Sequence, residues 1–243
     1  NAVSPAAPVT AFPGSAAGDV TALAYDGFDR RVKVTDAEGN VADTAYDPAS
    51  NVTQEKRTGP VDHTTGAPVR VLRQTDFLVD EMNRVVTADR QHFDTVTGAP
   101  VGDGVSRMIY EYDRNSLEVR VTDDRSLSTV TEWDDADRRF KVTDALGNEV
   151  EYGYDANSNI TTETQRENST DLGSPTQVFV TASVFDGVDR PVKTTDPAGS
   201  VREMFYDSRS NVVRTSDGVR GTGPPAGPSN GVRLEFDGLD RLV

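Results

Sequence analysis

YDGFDRRVKVTD, residues 25–36, decides how this chain is read, because it returns as WDDADRRFKVTD at 133–144 and FDGVDRPVKTTD at 185–196, and starts again as FDGLDRLV at 236–243. A second form carries Ser-Asn where the first carries Asp-Arg: YDPASNV from Tyr46, YDANSNI from Tyr154 and YDSRSNV from Tyr206. The two forms are ordered. Each complete Asp-Arg unit, at Tyr25, Trp133 and Phe185, is followed 21 residues later by a Ser-Asn unit, and each Ser-Asn unit by a longer step of 33, 31 or 30 residues. Repetition on this scale means one supersecondary unit stacked on copies of itself. Between Val79 and Tyr112 the pattern blurs into VDEMNRVV and YDRNSLEV, which read as diverged copies separated by another long step.

Within a unit the apolar period is two. Leu23 and Tyr25, Tyr110 and Tyr112, Tyr152 and Tyr154, and Met204 and Tyr206 share a face at the end of a strand, and Val32 with Val34, or Phe140 with Val142, resume the alternation after a short turn. Each unit is therefore an antiparallel hairpin with one apolar face. The turns have a mechanism: an aspartate side chain accepts the backbone N–H two residues on, closing the turn from within. The following bend, Asp-x-x-Gly-Asn/Ser, places Gly39, Gly147 and Gly199 where a positive φ is needed. No stretch sustains a 3.6-residue apolar period with caps. The fold class is all-β: tandem antiparallel hairpins in one continuous sheet, with a β-propeller-like or solenoid arrangement as the alternative.

The repeat-defining positions are Tyr25–Asp26, Tyr46–Asp47, Tyr112–Asp113, Trp133–Asp134, Tyr154–Asp155, Phe185–Asp186, Tyr206–Asp207 and Phe236–Asp237. Trp133 stands in the tyrosine's place and is expected to pack on the sheet. The long steps carry a signature of their own, DHTTGAPV at 62–69 and DTVTGAPV at 94–101. These are expected to be extended hairpins projecting from the sheet, so His63, Thr65, Gly66, Pro68, His92, Thr97, Gly98 and Pro100 are candidate partner contacts. The later long steps, near 172–176 and 221–231, are turn-rich. Residues 1–19, rich in Ala, Pro, Ser and Gly, read as a linker or the edge of a preceding domain, and 20–243 as the repeat scaffold. The last unit stops before its returning strand, so the scaffold is expected to continue.

Composition narrows the chemistry. Forty acidic against twenty-five basic side chains give a net charge of −15, which repels phosphate backbones and anionic lipid. Nucleic acid and direct membrane insertion are not expected. Without cysteine there is no disulfide, thiolate nucleophile or Cys-based zinc site. His63 and His92, the only histidines, read as exposed turn residues. The aspartate clusters Asp123-Asp124 and Asp134-Asp135-Asp137 leave calcium as the one ion worth weighing, although no Asp-x-Asp-x-Asp-Gly loop is present. No catalytic residue and no cofactor is assigned. Asn51, Asn159 and Asn168 begin glycosylation sequons, of consequence only in a eukaryotic secretory context.

The run Tyr-Asp, turn, Arg, alternating apolar residues, Thr-Asp-x-x-Gly-Asn, then another Tyr-Asp resembles the YD repeat of the Rhs family, whose wider relatives include teneurins and insecticidal Tc toxin components. The resemblance covers about Val20 to Val243. It implies a long sheet of hairpins wound into a spiral that closes, in complete members, as a shell around cargo. It also implies an extracellular, secreted or cell-surface setting. No self-cleavage motif and no toxin domain is found, and the repeats are too few for a closed shell. The expectation is a partial shell acting as a non-enzymatic scaffold, its partners being the rest of its own polypeptide, an enclosed effector or identical subunits. The alternative is an assembly or adhesion module: a filament built on sheet edges, or a glycan-binding surface on the long hairpins.

Overall fold

In a computed structural model of the chain, residues 4–5, 20–60, 68–94, 96–168, 175–218 and 230–234 are described. They form strands and tight turns, with no helix. Two compact units are present, 1–128 and 129–243. In the first, β1 (Ser4–Pro5), β2 (Ala22–Tyr25), β3 (Arg31–Thr35), β4 (Val41–Tyr46), β5 (Val52–Pro60), β6 (Val69–Val79), β7 (Val85–Phe93), β8 (Pro100–Tyr112) and β9 (Glu118–Thr122) each pair antiparallel with the next. The second repeats this arrangement with β10 (Ser128–Trp133), β11 (Arg139–Thr143), β12 (Glu149–Tyr154), β13 (Ile160–Glu167), β14 (Gln177–Phe185), β15 (Pro191–Thr195), β16 (Val201–Tyr206), β17 (Val212–Gly218) and β18 (Asn230–Arg233). Each unit is an open all-β meander, and neither is divided into the separate blades of a propeller. Of the stretch read as a linker, Ser4 and Pro5 are described, paired with Tyr25 and Ala24.

A meander turns alternately at one end of its strands and then at the other. All described aromatic–Asp turns of a unit, together with the diverged Val79–Asp80 copy, therefore fall on one edge, at 26–30, 47–51, 80–84 and 113–117 in the first unit and at 134–138, 155–159, 186–190 and 207–211 in the second. The opposite edge carries the bends at 36–40, 94–99, 123–127, 144–148 and 196–200.

Asp-Arg, Ser-Asn and Asp-Gly bends turn out to be one turn. In each, the fourth residue donates its N–H to the aspartate carbonyl, and the aspartate N–H bonds the carbonyl of the fifth. The fourth residue is left-handed: φ is 58° at Asp29, 71° at Ser50 and 62° at Asn83, as it is 82° at Gly39 and 79° at Gly147. This is the three-residue hairpin loop whose last residue sits in the left-handed region. Asp, Asn and Ser tolerate that region because short polar side chains bond locally. Asp123-Asp-Arg-Ser-Leu127 is a further copy, with Ser126 at φ 63° where its equivalents have glycine, so these aspartates already serve a turn.

Every aromatic-edge hairpin slips register beside its turn, and of the opposite-edge pairs only the long β5–β6 and β7–β8 do so, at Arg57–Thr58 and Gln91–Phe93. Ala24 faces Lys33 but Tyr25 faces Arg31, and Gly153 faces Thr162 but Tyr154 faces Ile160. One residue of the returning strand is left over, a bulge that re-aims the aromatic ring. Pro191 is accommodated at such a strand start. The core is thin: among the described residues no hydrophobic side chain is fully buried, and Trp133 is half-buried. Ladder hydrogen bonds, cross-strand pairs and the turn edge therefore hold the sheet.

Candidate functional site

The aromatic edge concentrates the polar chemistry of the repeat. Asp26 accepts the N–H groups of Phe28 and Arg30 on Oδ1, at 2.9 and 3.1 Å, and holds Arg30 Nε and Nη2 on Oδ2, at 2.8 and 2.6 Å. The Arg30 guanidinium is thereby aimed along the edge. It lies over the Tyr46 ring, 4.7 Å from the centroid, and Nη1 donates to the Asp47 carbonyl and to Ser50 Oγ in the next aromatic turn. Tyr46 returns a bond, its hydroxyl donating to the Arg31 carbonyl at 3.3 Å. The same node recurs with Asp80, Arg84, Tyr112 and Ser116, with Asp134, Arg138, Tyr154 and Ser158, and with Asp186, Arg190, Tyr206 and Ser210.

Ser-Asn turns carry the link onward. Asn51 Nδ2 donates to its own Asp47 Oδ2 and to Asn83 Oδ1, the left-handed residue of the next Asp-Arg turn. Asn159 Nδ2 does the same with Asp155 Oδ2 and Asp189 Oδ1, at 3.0 and 2.7 Å. The alternation of the two forms is therefore a relay: Arg reaches forward to Ser, and Asn reaches forward to the next left-handed residue. YDRNSLEV has Leu117 in the Asn position and loses that second step.

Electrostatics follow this geometry. The side-chain bond from the arginine four residues on holds Asp26, Asp80, Asp134 and Asp186 below the ordinary carboxylate range. Asn51 and Asn159 do the same for Asp47 and Asp155, and the Asn211 N–H leads for Asp207. Burial raises the Tyr112 and Tyr154 phenols. The sequence offered one clue to the node that local reading missed: Arg and Tyr are 16 residues apart at Arg30–Tyr46, Arg138–Tyr154 and Arg190–Tyr206.

The long-step residues lie elsewhere. β5 to β8 run 9, 11, 9 and 13 residues and pair side by side as one widened patch of sheet, so the excursions are neighbours and not separate projections. The Thr-Gly-Ala-Pro signature is a turn device. Asp94 Oδ1 accepts the Val96 and Thr97 N–H groups, Thr97 Oγ1 accepts the Ala99 N–H, Gly98 has φ 74°, and Pro100 opens β8. Arg70, near Pro68, donates to the Thr97 carbonyl and so ties the two excursions together. His92 is no exposed turn residue: it is half-buried in β7, with Nε2 at 2.8 Å from Ser106 Oγ. His63, Thr65, Gly66, Phe236 and Asp237 lie outside the described residues.

No described group of three or more His, Asp or Glu side chains is placed to hold a metal ion. Asp134 and Asp123, from the clusters weighed for calcium, are engaged by Arg138 and Arg125.

The RHS Repeat family model matches residues 15–41 and 133–170. No curated protein matches. Among solved structures the chain is similar to the TcdB2–TccC3–TEV and TcdB2–TccC3–Cdc42 crystal structures, with a TM-score of 0.61 to each. Identity is 13% and 14%, over 94% and 93% of this chain and 11% of each of those chains. The Photorhabdus luminescens Tc holotoxin pore is similar at a TM-score of 0.53 and 13% identity, over 92% of this chain and 13% of the other. The chain thus spans about a tenth of the length of the structures it matches. Two segments of the chain thus match the RHS repeat, and its fold is similar to that of these Tc toxin structures.

Proposed function

We propose that this Rhs-repeat chain is a length of non-enzymatic scaffold in a large secreted or cell-surface protein, its sheet forming part of a shell that encloses an effector or presents a surface. The turn-to-turn relay supports this reading best. A guanidinium that bonds its own turn and the next makes each hairpin the template for its successor, which suits a structure meant to be extended and not one built around a cleft. Residues 20–243 serve as scaffold, with 1–19 a linker or the edge of a preceding domain. The aromatic–Asp pairs and Gly39, Gly147 and Gly199 set its geometry. Neither metal nor cofactor enters this role.

The test uses the whole polypeptide from which the chain comes. A segment enclosed by the shell resists protease until the sheet is opened by acid, and is then digested. Digestion at one rate in the intact and opened protein would rule out enclosure. A second reading, partner recognition by the excursions, is favoured by the widened β5–β8 patch. There Pro68, Thr97, Gly98 and Pro100, with His63, Thr65 and Gly66, contact the partner, and deleting 94–99 abolishes binding while sparing the sheet. An enzyme is the third reading, revived only by substrate turnover lost on His92→Ala.

A further inference from the structure

The two faces of the β5–β8 patch treat charge in opposite ways. On one, the carboxylates are answered: Arg107 holds Asp89 with two bonds of 2.7 and 2.6 Å, and Asp76 collects the amides of Gln54, Gln74 and Gln91. On the other, Arg57 of β5 stands directly opposite Arg73 of β6. Arg90 of β7 lies across from Thr75 on the same face, and His92 follows two residues later. Arg57, Arg73 and Arg90 make no side-chain hydrogen bond or ion pair among the described residues. Like charges placed directly opposite destabilise a sheet. Opposite charges face each other in Lys33–Asp43 and Lys141–Glu151, whereas Asp76 faces Asp89 and Arg214 faces Arg233. Among the described residues no carboxylate holds any of the three, although Asp36 stands in the field of Arg57.

Arg73, Arg90 and His92 line a pocket of about 360 Å³ walled by Leu72, Phe93 and Val101. This is the small end of ligand-sized cavities. Asp103 and Asp124 also reach it; they accept the Val105 and Arg107 N–H groups, and the Asp124 charge is met in part by the Arg107 guanidinium. The His92–Ser106 bond fixes the imidazole at its wall. We infer that this pocket binds a small polyvalent oxyanion, a phosphate ester or a di- or tricarboxylate with a short apolar body, seated against Arg73 and Arg90 and within the field of Arg57. Planar guanidinium forks suit both oxyanions. The overall charge of −15 disfavours a long polyanion, which would meet the rest of the surface as well.

The test titrates the full chain with inorganic pyrophosphate and, separately, with citrate, following heat and the thermal midpoint. Saturable binding by either probe is expected, and the stronger one tells phosphate from carboxylate. Arg73→Gln should weaken it about tenfold or more, the loss of a charge-assisted bond. Arg31→Gln, an exposed arginine on β3 outside the patch, should leave binding unchanged. Without anion, Arg73→Gln should also raise the midpoint, because it removes the repulsion with Arg57. No saturable binding by either probe would overturn the proposal. So would equal weakening by Arg31→Gln, the mark of unspecific charge, or a lowered midpoint in Arg73→Gln.

Discussion

The Arg84 node of the first unit and the Arg138 node of the second have nearly the same geometry across very different lengths of chain. Arg84 and Tyr112 are 28 residues apart, Arg138 and Tyr154 only 16. Yet the guanidinium stands 4.7 Å from the ring in one and 4.4 Å in the other, and Nη1 reaches the next turn's carbonyl and serine at 3.2 Å in both. The additional residues of the first pair are all spent at the far end, where β7 and β8 run on to the 94–99 turn while β11 and β12 bend at 144–148. The aromatic edge thus fixes register, and the opposite edge is free to vary in length. Side chains of period two would flip faces if a strand slipped by one, so one well-bonded edge is enough to hold the sheet.

Acid should break both regions at once and have the largest effect. The node aspartates have folded values depressed by their Arg and Asn donors. Their contribution is full above the unfolded value and is lost as pH falls through the folded ones. Stability should be level near neutrality and fall steeply below about pH 4. Circular dichroism of thermal unfolding against pH reads this directly, and a midpoint unchanged down to about pH 2 would contradict it.

Cutting a single node separates the two regions more finely. Arg138→Ala removes a two-bond ion pair, bonds to the next turn and the ring contact, a loss of about 2–4 kcal/mol in urea unfolding. Arg84→Ala should cost the same within about 0.5 kcal/mol, because loop-closure entropy changes by about that much when a loop nearly doubles. A much cheaper Arg84→Ala would mean that the long hairpin supplies its own register. Arg138→Lys keeps the charge but not the fork, and should recover less than half.

Glycines on opposite edges should answer alanine with opposite signs. Gly147 is left-handed at 79°, and a Cβ there would stand 3.0 Å from Asn168 Nδ2, so Gly147→Ala should cost about 1–2 kcal/mol. Gly187 is an ordinary aromatic-turn residue with open space around it, and Gly187→Ala should be neutral or stabilise by about 0.5 kcal/mol. Equal effects would show that left-handed geometry is not what the Asp-Gly bends demand.

What was legible in the sequence was local. Asp26 to Phe28 is two residues, and Asp36 to Gly39 three, so turn closure and the glycine positions could be read from spacing alone. The Arg–Tyr node spans 16 or 28 residues through a hairpin of variable length, and spacing shows it only once strand pairing is known. The aspartate of Asp-Arg and the serine of Ser-Asn looked like two labels. They are one left-handed position, recoverable by aligning them with Gly39 and Gly147. Ser126 hid a turn because no glycine announced it. His92 was misjudged because its neighbours form a turn while it lies in the strand before, within reach of Ser106 on the paired strand.

The smallest effect tests the forward arm of the relay. Asp29 and Asp189 hold the same place in the same turn, at φ 58° and 62°. Asp189 Oδ1 accepts Asn157 and Asn159 from the preceding turn, at 2.8 and 2.7 Å, whereas Asp29 accepts no side chain among the described residues. Glycine relieves the left-handed strain at both but forfeits bonds at only one. Asp29→Gly should therefore stabilise by about 0.5 kcal/mol. Asp189→Gly should destabilise by about 0.5–1 kcal/mol, two exposed hydrogen bonds outweighing the relief. If both changes stabilise equally, the Asn-to-Asp step carries no energy, and the Ser-Asn form would matter only for closing its own turn.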